Sequence, residues 1–377
     1  MQFGDTEDRR MLSDMLRRFL AENYANDMRS KLAETQSGFS AEIWAGLAEL
    51  GIIGALFSEE VGGFGGAGFD ISTVFEELGR AGTVEPLLDT LYAGGLIADL
   101  GDEAQKELLA PVIAGEKQIA FAHGEPGSRY DLSHVETHAA QTAAGFTLTG
   151  AKSVVGNGAA ADTIVVSART SGEVRDANGI SLFVVPVNAK GLSRKPYAKL
   201  DGGNAAEIAL DGVEVPSSAL LGPLGCAFDA IEFRAASAIT AICAEALGAM
   251  EQAKDLTVEY LKTRQQFGRP IGKFQALQHR MVEILIDVEQ ARSAVINAAD
   301  HLEGDRLTRE RMVSAAKNLI GRTGRRISEE CVQMHGGIGM TEEYALSHFA
   351  RRLILIDHVL GDADHHLERF IALGKSA

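Results

Sequence analysis

Residues 163–185 read TIVVSARTSGEVRDANGISLFVV: two β-branched, apolar runs, Thr163–Ala168 and Ile180–Val185, separated by a polar segment that carries Gly172, Asp176, Asn178 and Gly179. β-Branched runs bounded by Gly, Asn and Asp are the signature of strands at hairpin spacing. Phe146–Thr149 and Glu207–Leu210 repeat the pattern on either side, and Asp211–Pro216 closes in a proline before the Gly222–Gly225 turn. Together they predict a β domain of about 100 residues.

Outward from this segment the patterning is helical. Before it, Ile43, Leu47 and Leu50 recur at helical spacing behind Ser40, a residue type that caps helix N-termini, and further periodicity runs through Ile71–Leu78 and Leu87–Leu100. After it, Leu247, Met250, Lys254 and Leu256–Leu261 make one helix, and Met281, Leu285, Val288 and Ala291 set an apolar stripe on the next. Long helices joined by short loops describe an antiparallel bundle. The expected domains are helical over 1–117, β over 118–225 and a helical bundle over 226–377.

Composition narrows the function. The 377 residues, 46% of them hydrophobic, suffice for two or three packed units. Asp5, Glu7 and Asp8 precede any apolar run, against a secretory leader, and Ile239–Met250 is interrupted by Glu245, against a membrane span of ~18 apolar residues. Cys226, Cys243 and Cys331 are dispersed, which excludes a disulfide framework and a thiolate zinc site and points to a cytoplasmic protein. A net charge of −16 excludes nucleic acid as partner, so an anionic ligand needs a local basic patch.

Four motifs carry chemistry. Gly63, Gly65 and Gly68 satisfy GxGxxG, but no βαβ pattern follows, so a glycine-rich turn is expected in place of a dinucleotide fingerprint. Asp357, His358, Asp362, Asp364, His365 and His366 offer metal-type ligands; adjacent histidines on a helix diverge, so a capped helix start is expected and no metal. Thr263–Gln275 joins two long helices: Arg264 offers a fork for pyrophosphate, Phe267 a face for a flat ring and Gln275 an amide for a heterocycle edge, or the segment is a plain helix connection. Gln333–Tyr344 carries Gly336, Gly337 and Gly339, more than a helix C-cap requires, and bare N–H groups there suit a phosphate or ribityl chain.

With these residues in view the chain resembles the acyl-CoA dehydrogenase family over nearly its whole length. The resemblance is carried by Glu49-Leu50-Gly51, Glu59–Gly63, Phe75–Arg80, Gly124–Ser128, Arg264–Gln278 and Gln333–Tyr344. It implies a mainly α fold with a central β-barrel-like domain and a C-terminal four-helix bundle. FAD is then held where the domains meet. It further implies that Arg264, Phe267, Gln275, Gln333, Gly336 and Gly337 reach the FAD of a neighbouring subunit, that Asp362 and Asp364 touch the cofactor, and that Gly124–Asp131 and Val154–Gly156 line the flavin ring. The partner is a second copy, as homodimer or homotetramer, or a related subunit in a heterotetramer. No membrane partner is expected.

Such enzymes need a carboxylate to take the proton α to the thioester of acyl-CoA. The family's usual glutamate aligns with Leu360, before Gly361, and its second known location falls near Ala238. Glu232, Glu245 and Asp362 are the nearest acids; Asp362 and Glu245 are the candidate bases, although Glu245 reads equally well as a partner inside the bundle. The family's flavin-facing Thr is Gly124 here, Trp-Ile-Thr is Val154-Val155-Gly156, and Arg129-Tyr130-Asp131 replaces Gly-Ser-Asp. The pattern is similar to the small-subunit branch acting in pairs on pimeloyl-like, steroid side-chain or other bulky acyl-CoA substrates. Three readings stand: an active FAD-dependent acyl-CoA dehydrogenase, a catalytically silent partner subunit, and a flavoprotein performing base-free acyl-CoA chemistry.

Overall fold

A computed structural model describes residues 6–24, 28–33, 35 and 37–375; Asp5, used above against a leader, lies outside the described residues. Helices α1 (Glu7–Asn23), α2 (Met28–Ala33), α3 (Ala41–Glu49), α4 (Gly68–Ala81), α5 (Leu87–Leu100), α6 (Glu103–Lys106) and α7 (Leu109–Ile113) come first. Strands β1 (Ile119–Ala122), β2 (His138–Gln141), β3 (Gly145–Gly156), β4 (Thr163–Arg169), β5 (Ile180–Pro186), β6 (Leu192–Ala198), β7 (Asn204–Pro216) and β8 (Leu220–Leu221) follow. The chain ends in α8 (Phe228–Thr263), the short strands β9 (Gln265–Gln266) and β10 (Arg269–Pro270), α9 (Gln275–Asp300), α10 (Arg306–His335), α11 (Leu346–Asp357) and α12 (Ala363–Lys375). The expected α fold with a central β region is therefore present.

The opening stretch forms the antiparallel β4–β5 pair, Thr163 opposite Pro186 and Arg169 opposite Ile180. Its polar connection is built around Arg169. This guanidinium is 7% exposed and donates to the carbonyls of Val135, Ser133, Val174 and Asp176 at 2.9–3.1 Å. The sheet runs β6-β7-β3-β2-β4-β5-β8, with β1 parallel to β4, over a core of Ile164, Val166, Phe183, Leu148, Ile208 and Val213.

Backbone proximity divides the chain into two compact units. One comprises residues 1–28, 67–83 and 239–377, the other 29–66 and 84–238. In the first, α4 meets α8 through a pair of glycines: a side chain at Gly79 would collide with the Glu245 carbonyl, and one at Gly248 with the Glu76 carbonyl. Acids on this contact, Glu76, Glu77 and Glu251, are met by Arg17, Arg80 and Arg292. In the second, Ser40 Oγ accepts from Ile43 N at 3.2 Å and caps α3, as its residue type predicts.

Two expectations change. Met281, Val288 and Ala291 are buried as expected, but Leu285 is 46% exposed and Ile284 faces inward in its place, which leaves Val282, Leu285 and Ile286 on the surface. α8 is long and apolar enough by length and composition to cross a membrane, contrary to the reading from Glu245; 89% of its apolar window is buried inside the protein.

Candidate functional site

Within the second unit, the end of β3 departs from regular pleat. Register shifts between Lys152 and Val155 make a bulge, and Val154 stands at φ +53° while 66% exposed. A β-branched residue in the left-handed region is a genuine outlier, and such strain persists where surrounding contacts over-determine it. Glu207 on β7 is that contact. It accepts from Val154 N at 3.2 Å, Ser153 Oγ at 2.7 Å and Tyr197 OH at 3.0 Å. Burial raises the Glu207 pKa, and these hydrogen bonds outweigh it and hold the carboxyl below its ordinary range. Three residues on, Asn157 is again left-handed, at φ +55°, and its amide donates to Gln118 Oε1 at 3.0 Å and Ile119 O at 3.2 Å. Gly156 lies between the two strained residues.

Beneath this segment lies a polar network that the sequence reading did not identify. Lys152, 1% exposed, donates to Glu125 Oε1 at 2.6 Å, Ser167 Oγ at 3.0 Å and His123 O at 3.2 Å. Burial pushes its ammonium down to about 8, against the pull of Glu125. Glu125 also accepts from Glu136 N at 2.5 Å and Thr137 N at 3.0 Å. His123, driven down to about 3 by burial and by Lys152, is neutral; its Nδ1 meets Ser167 Oγ at 2.9 Å and its buried Nε2 has no hydrogen-bond partner among the described residues. Ser153 N donates to Gly124 O at 2.8 Å, so the network anchors both segments that the resemblance assigns to the flavin wall. A lysine inside an alternating strand was the available signal.

In the first unit, β9 and β10 form a hairpin with Phe267 and Gly268 at its tip, at φ +53° and +74°. Two successive positive φ values define the type I′ turn, whose twist matches that of the strands. Phe267 is thereby held out, 90% exposed, its ring edge-on to Phe274 with centroids 6.1 Å apart, and Arg269 also stacks over Phe274 at 4.3 Å. Tyr260, one turn before Arg264, stacks on His335 at 4.4 Å, and Tyr344 OH meets His335 Nε2 at 3.2 Å. The Arg264 and Gly336 motifs therefore lie at adjoining helix ends. Arg264, Gln275, Gln333, Gly336 and Gly337 are exposed, and nothing lies within 4 Å of where a side chain at Gly336 or Gly337 would begin.

The segment around Leu360 is fixed from behind. Lys317 is wholly buried and donates to the carbonyls of Ile356, Asp357 and Gly361 at 3.0, 2.8 and 2.6 Å. Leu360 is left-handed at φ +57°, and its carbonyl accepts from His366 Nε2 at 3.0 Å. Burial drives His366 down to about 3, so a neutral ring makes this bond. Asp362 Oδ1 caps α12 by accepting from His365 N at 2.8 Å, and Asp357 Oδ1 accepts from Ala363 N at 3.0 Å; Asp364 is exposed. The His and Asp cluster thus serves as caps and buried hydrogen bonds. Glu245, the other candidate base, has both oxygens on Arg352, at 2.6 and 2.9 Å, which corrects its reading toward the partner inside the bundle.

The GxGxxG run is explained by packing against the chain itself. A side chain at Gly63 would strike the Phe57 carbonyl, at Gly65 the Ala55 carbonyl and at Gly68 the Ala299 carbonyl. These glycines leave no room for a phosphate. The open glycines at 336 and 337, beside an exposed aromatic and an exposed arginine, do fit a dinucleotide with a flat ring and a pyrophosphate.

Sequence models for the N-terminal, middle and C-terminal domains of acyl-CoA dehydrogenases match residues 6–116, 120–213 and 236–370. The short-chain-specific acyl-CoA dehydrogenase of Megasphaera elsdenii is 32% identical over 83% of this chain and 84% of its own. Among solved structures, the ChsE4-ChsE5 complex from Mycobacterium tuberculosis matches with a TM-score of 0.90 at 25% identity over all of both chains. A Tcur3481-Tcur3483 steroid ACAD variant matches with a TM-score of 0.88 at 28% identity over 98% of this chain and 99% of that one. On the sequence, the fold and these matches, the chain belongs to the acyl-CoA dehydrogenase family of FAD-binding oxidoreductases.

Proposed function

We propose that this protein is an FAD-binding subunit of an oligomeric, cytoplasmic acyl-CoA dehydrogenase that removes hydrogen from the α and β carbons of a bulky acyl-CoA thioester. The observation that carries the reading is Phe267, held fully exposed on a stiff hairpin beside the open Gly336–Gly337 backbone. FAD, when bound, supplies the acceptor for the hydride leaving the β carbon. Arg264 would pair with the pyrophosphate, Phe267 would cover a flat ring, Gln275 and Gln333 would meet polar edges, and Gly336 and Gly337 would offer bare N–H groups. Asp362 and Asp364 would lie along the cofactor from a different helix, and Val154 and Gly156 would form the ring's wall.

An oligomer is part of the reading. Asp362 adjoins Asn318, whose amide donates to Ala363 O at 2.7 Å, while Gly336 follows the end of the same helix. At 1.5 Å per residue the two groups are about 27 Å apart. Two ends so separated suit a cofactor completed by another subunit. The apolar groove of about 810 Å³ lined by Val282, Leu285 and Ile286 is surface that such a subunit would cover. The likeness to the ChsE4-ChsE5 complex and to a steroid ACAD supports a related subunit as partner and a bulky acyl group.

Leu360, Ala238 and the Arg352-bound Glu245 favour a second reading, a silent half that lends its helix ends to an active partner. The visible spectrum of the protein co-purified from its host decides between them. Flavin bleached by an acyl-CoA supports dehydrogenation by this chain, unbleached flavin supports the silent half, and a colourless protein overturns the cofactor assignment.

A further inference from the structure

The family's two base positions hold Leu360 and Ala238, yet the fold brings another carboxylate to the wall segment. Asp89 stands in the first turn of α5, half-buried. A side chain at Gly156 would collide with Asp89 Oδ1; its first carbon would stand 2.8 Å from the carboxyl carbon and 3.1 Å from Oδ2. The missing side chain at 156 and the acid at 89 are one feature, because the carboxylate occupies the space where a threonine would otherwise project. The same helix also reaches the other wall segment. Tyr92, one turn on, meets Phe121 edge-on at 4.8 Å, and Phe121 stacks on His123 at 5.2 Å, the residue before Gly124. Asp89 and Tyr92, three residues apart, share one face of α5, which meets Gly156 through Asp89 and Phe121 of β1 through Tyr92. Between the left-handed Val154 and Asn157, Gly156 has little freedom to retreat from the carboxylate.

We infer that Asp89 is the catalytic base of this chain, replacing the carboxylate that the family carries elsewhere. The inference rests on the reading that Val154–Gly156 lines the flavin ring. The Asp89 carboxylate takes the α proton of the thioester and becomes the neutral acid. With FAD bound, the electron pair of the broken Cα–H bond would form the Cα=Cβ double bond while the cofactor would supply the acceptor for the hydride leaving Cβ, and the thioester carbonyl would carry the charge that develops.

The test separates proton removal from flavin reduction. A 3-thia-acyl-CoA has α protons but no β hydrogen to surrender, so its exchange in D2O, followed by NMR, reads the base alone. The natural complex is compared with its Asp89→Asn and Gly156→Ala variants, each checked for FAD content from its absorbance. The expected result is exchange in the wild type, slowed about a hundredfold or more in Asp89→Asn and also slowed in Gly156→Ala, whose new methyl group displaces the carboxylate, with yellow colour retained throughout. Should Asp89→Asn not fold, Gly156→Ala carries the comparison. Yellow protein whose variants exchange at the wild-type rate, or a yellow wild type that does not exchange at all, overturns Asp89 while leaving the flavin reading intact. A colourless complex overturns both.

Discussion

Lys152→Met removes the ammonium from the network beneath the wall segment while keeping the apolar stem. Three contacts are lost, to Glu125, Ser167 and the His123 carbonyl, and Glu125, 6% exposed, keeps its charge with only the backbone donors of residues 136 and 137. Breaking a buried pair costs ~3–5 kcal/mol because it strands a charge. The two remaining N–H donors put the expected loss near the lower end, about 3 kcal/mol, or a fall in Tm of roughly 4 °C for a chain of this length. Adding Glu125→Gln removes the stranded charge, so the double variant regains about 1–2 kcal/mol of that loss, a coupling of ordinary size for groups in contact. Thermal melts at matched protein and FAD concentration measure both effects. The pH dependence supplies an independent reading. Lys152 is held at about 8 in the fold against its ordinary 10.5, so between those values the unfolded chain binds more protons. In that window this lysine makes stability rise with pH, and the methionine variant loses that contribution to the slope. A Tm within 2 °C of wild type, or a double variant no more stable than the single, would refute the reasoning.

Three further outcomes are expected. Glu207→Gln weakens the contact that holds Val154 left-handed, and the FAD dissociation constant, measured by fluorescence, rises about fivefold, or ~1 kcal/mol; acidification through the depressed Glu207 pKa has the same effect, because protonation removes the acceptor charge. Phe267→Ala lowers FAD affinity about tenfold, the worth of a lost ring contact, with Tm of the cofactor-free protein unchanged, since the ring is 90% exposed; equal affinity would remove Phe267 from the site. Gly79→Ala drives a methyl into the Glu245 carbonyl, and the overpacking lowers stability by ~1–3 kcal/mol in a denaturant titration; no loss would mean that α4 and α8 are not held at this distance.

What the sequence displays follows from the range of the interactions involved. The β4–β5 pair is visible because β-branched runs and Gly/Asn punctuation act within a few residues, and the Ser40 cap is likewise a three-residue affair. The exposed Phe267 and the open Gly336 are also local, being properties of a turn and a helix end. Lys152 with Glu125, Glu207 with Val154 and Glu245 with Arg352 join residues 27, 53 and 107 apart in sequence, and no short-range pattern encodes such distances. The stripe of α9 differs at one position: Ile284 and Leu285 are adjacent and equally apolar, and only the partner surface decides which faces inward.

The departures from the family pattern are linked to one another through this geometry. On the proposed reading Gly124 and Gly156 leave the flavin wall without hydroxyl groups, and at 156 stands Asp89, which a side chain there would strike. The bulge that presents Val154 depends on Glu207, and the base of that bulge depends on Lys152, whose partner Glu125 follows Gly124 directly. Leu360 keeps a left-handed backbone under Lys317 and His366, so the loop retains its anchoring although an apolar side chain occupies the acid's position. Val154, a β-branched residue beside Gly156, is held left-handed at a cost of about 1–3 kcal/mol by its bond to Glu207. On the inference drawn from Asp89, the strained Val154 and the carboxylate beside Gly156 belong to one site at the first turn of α5.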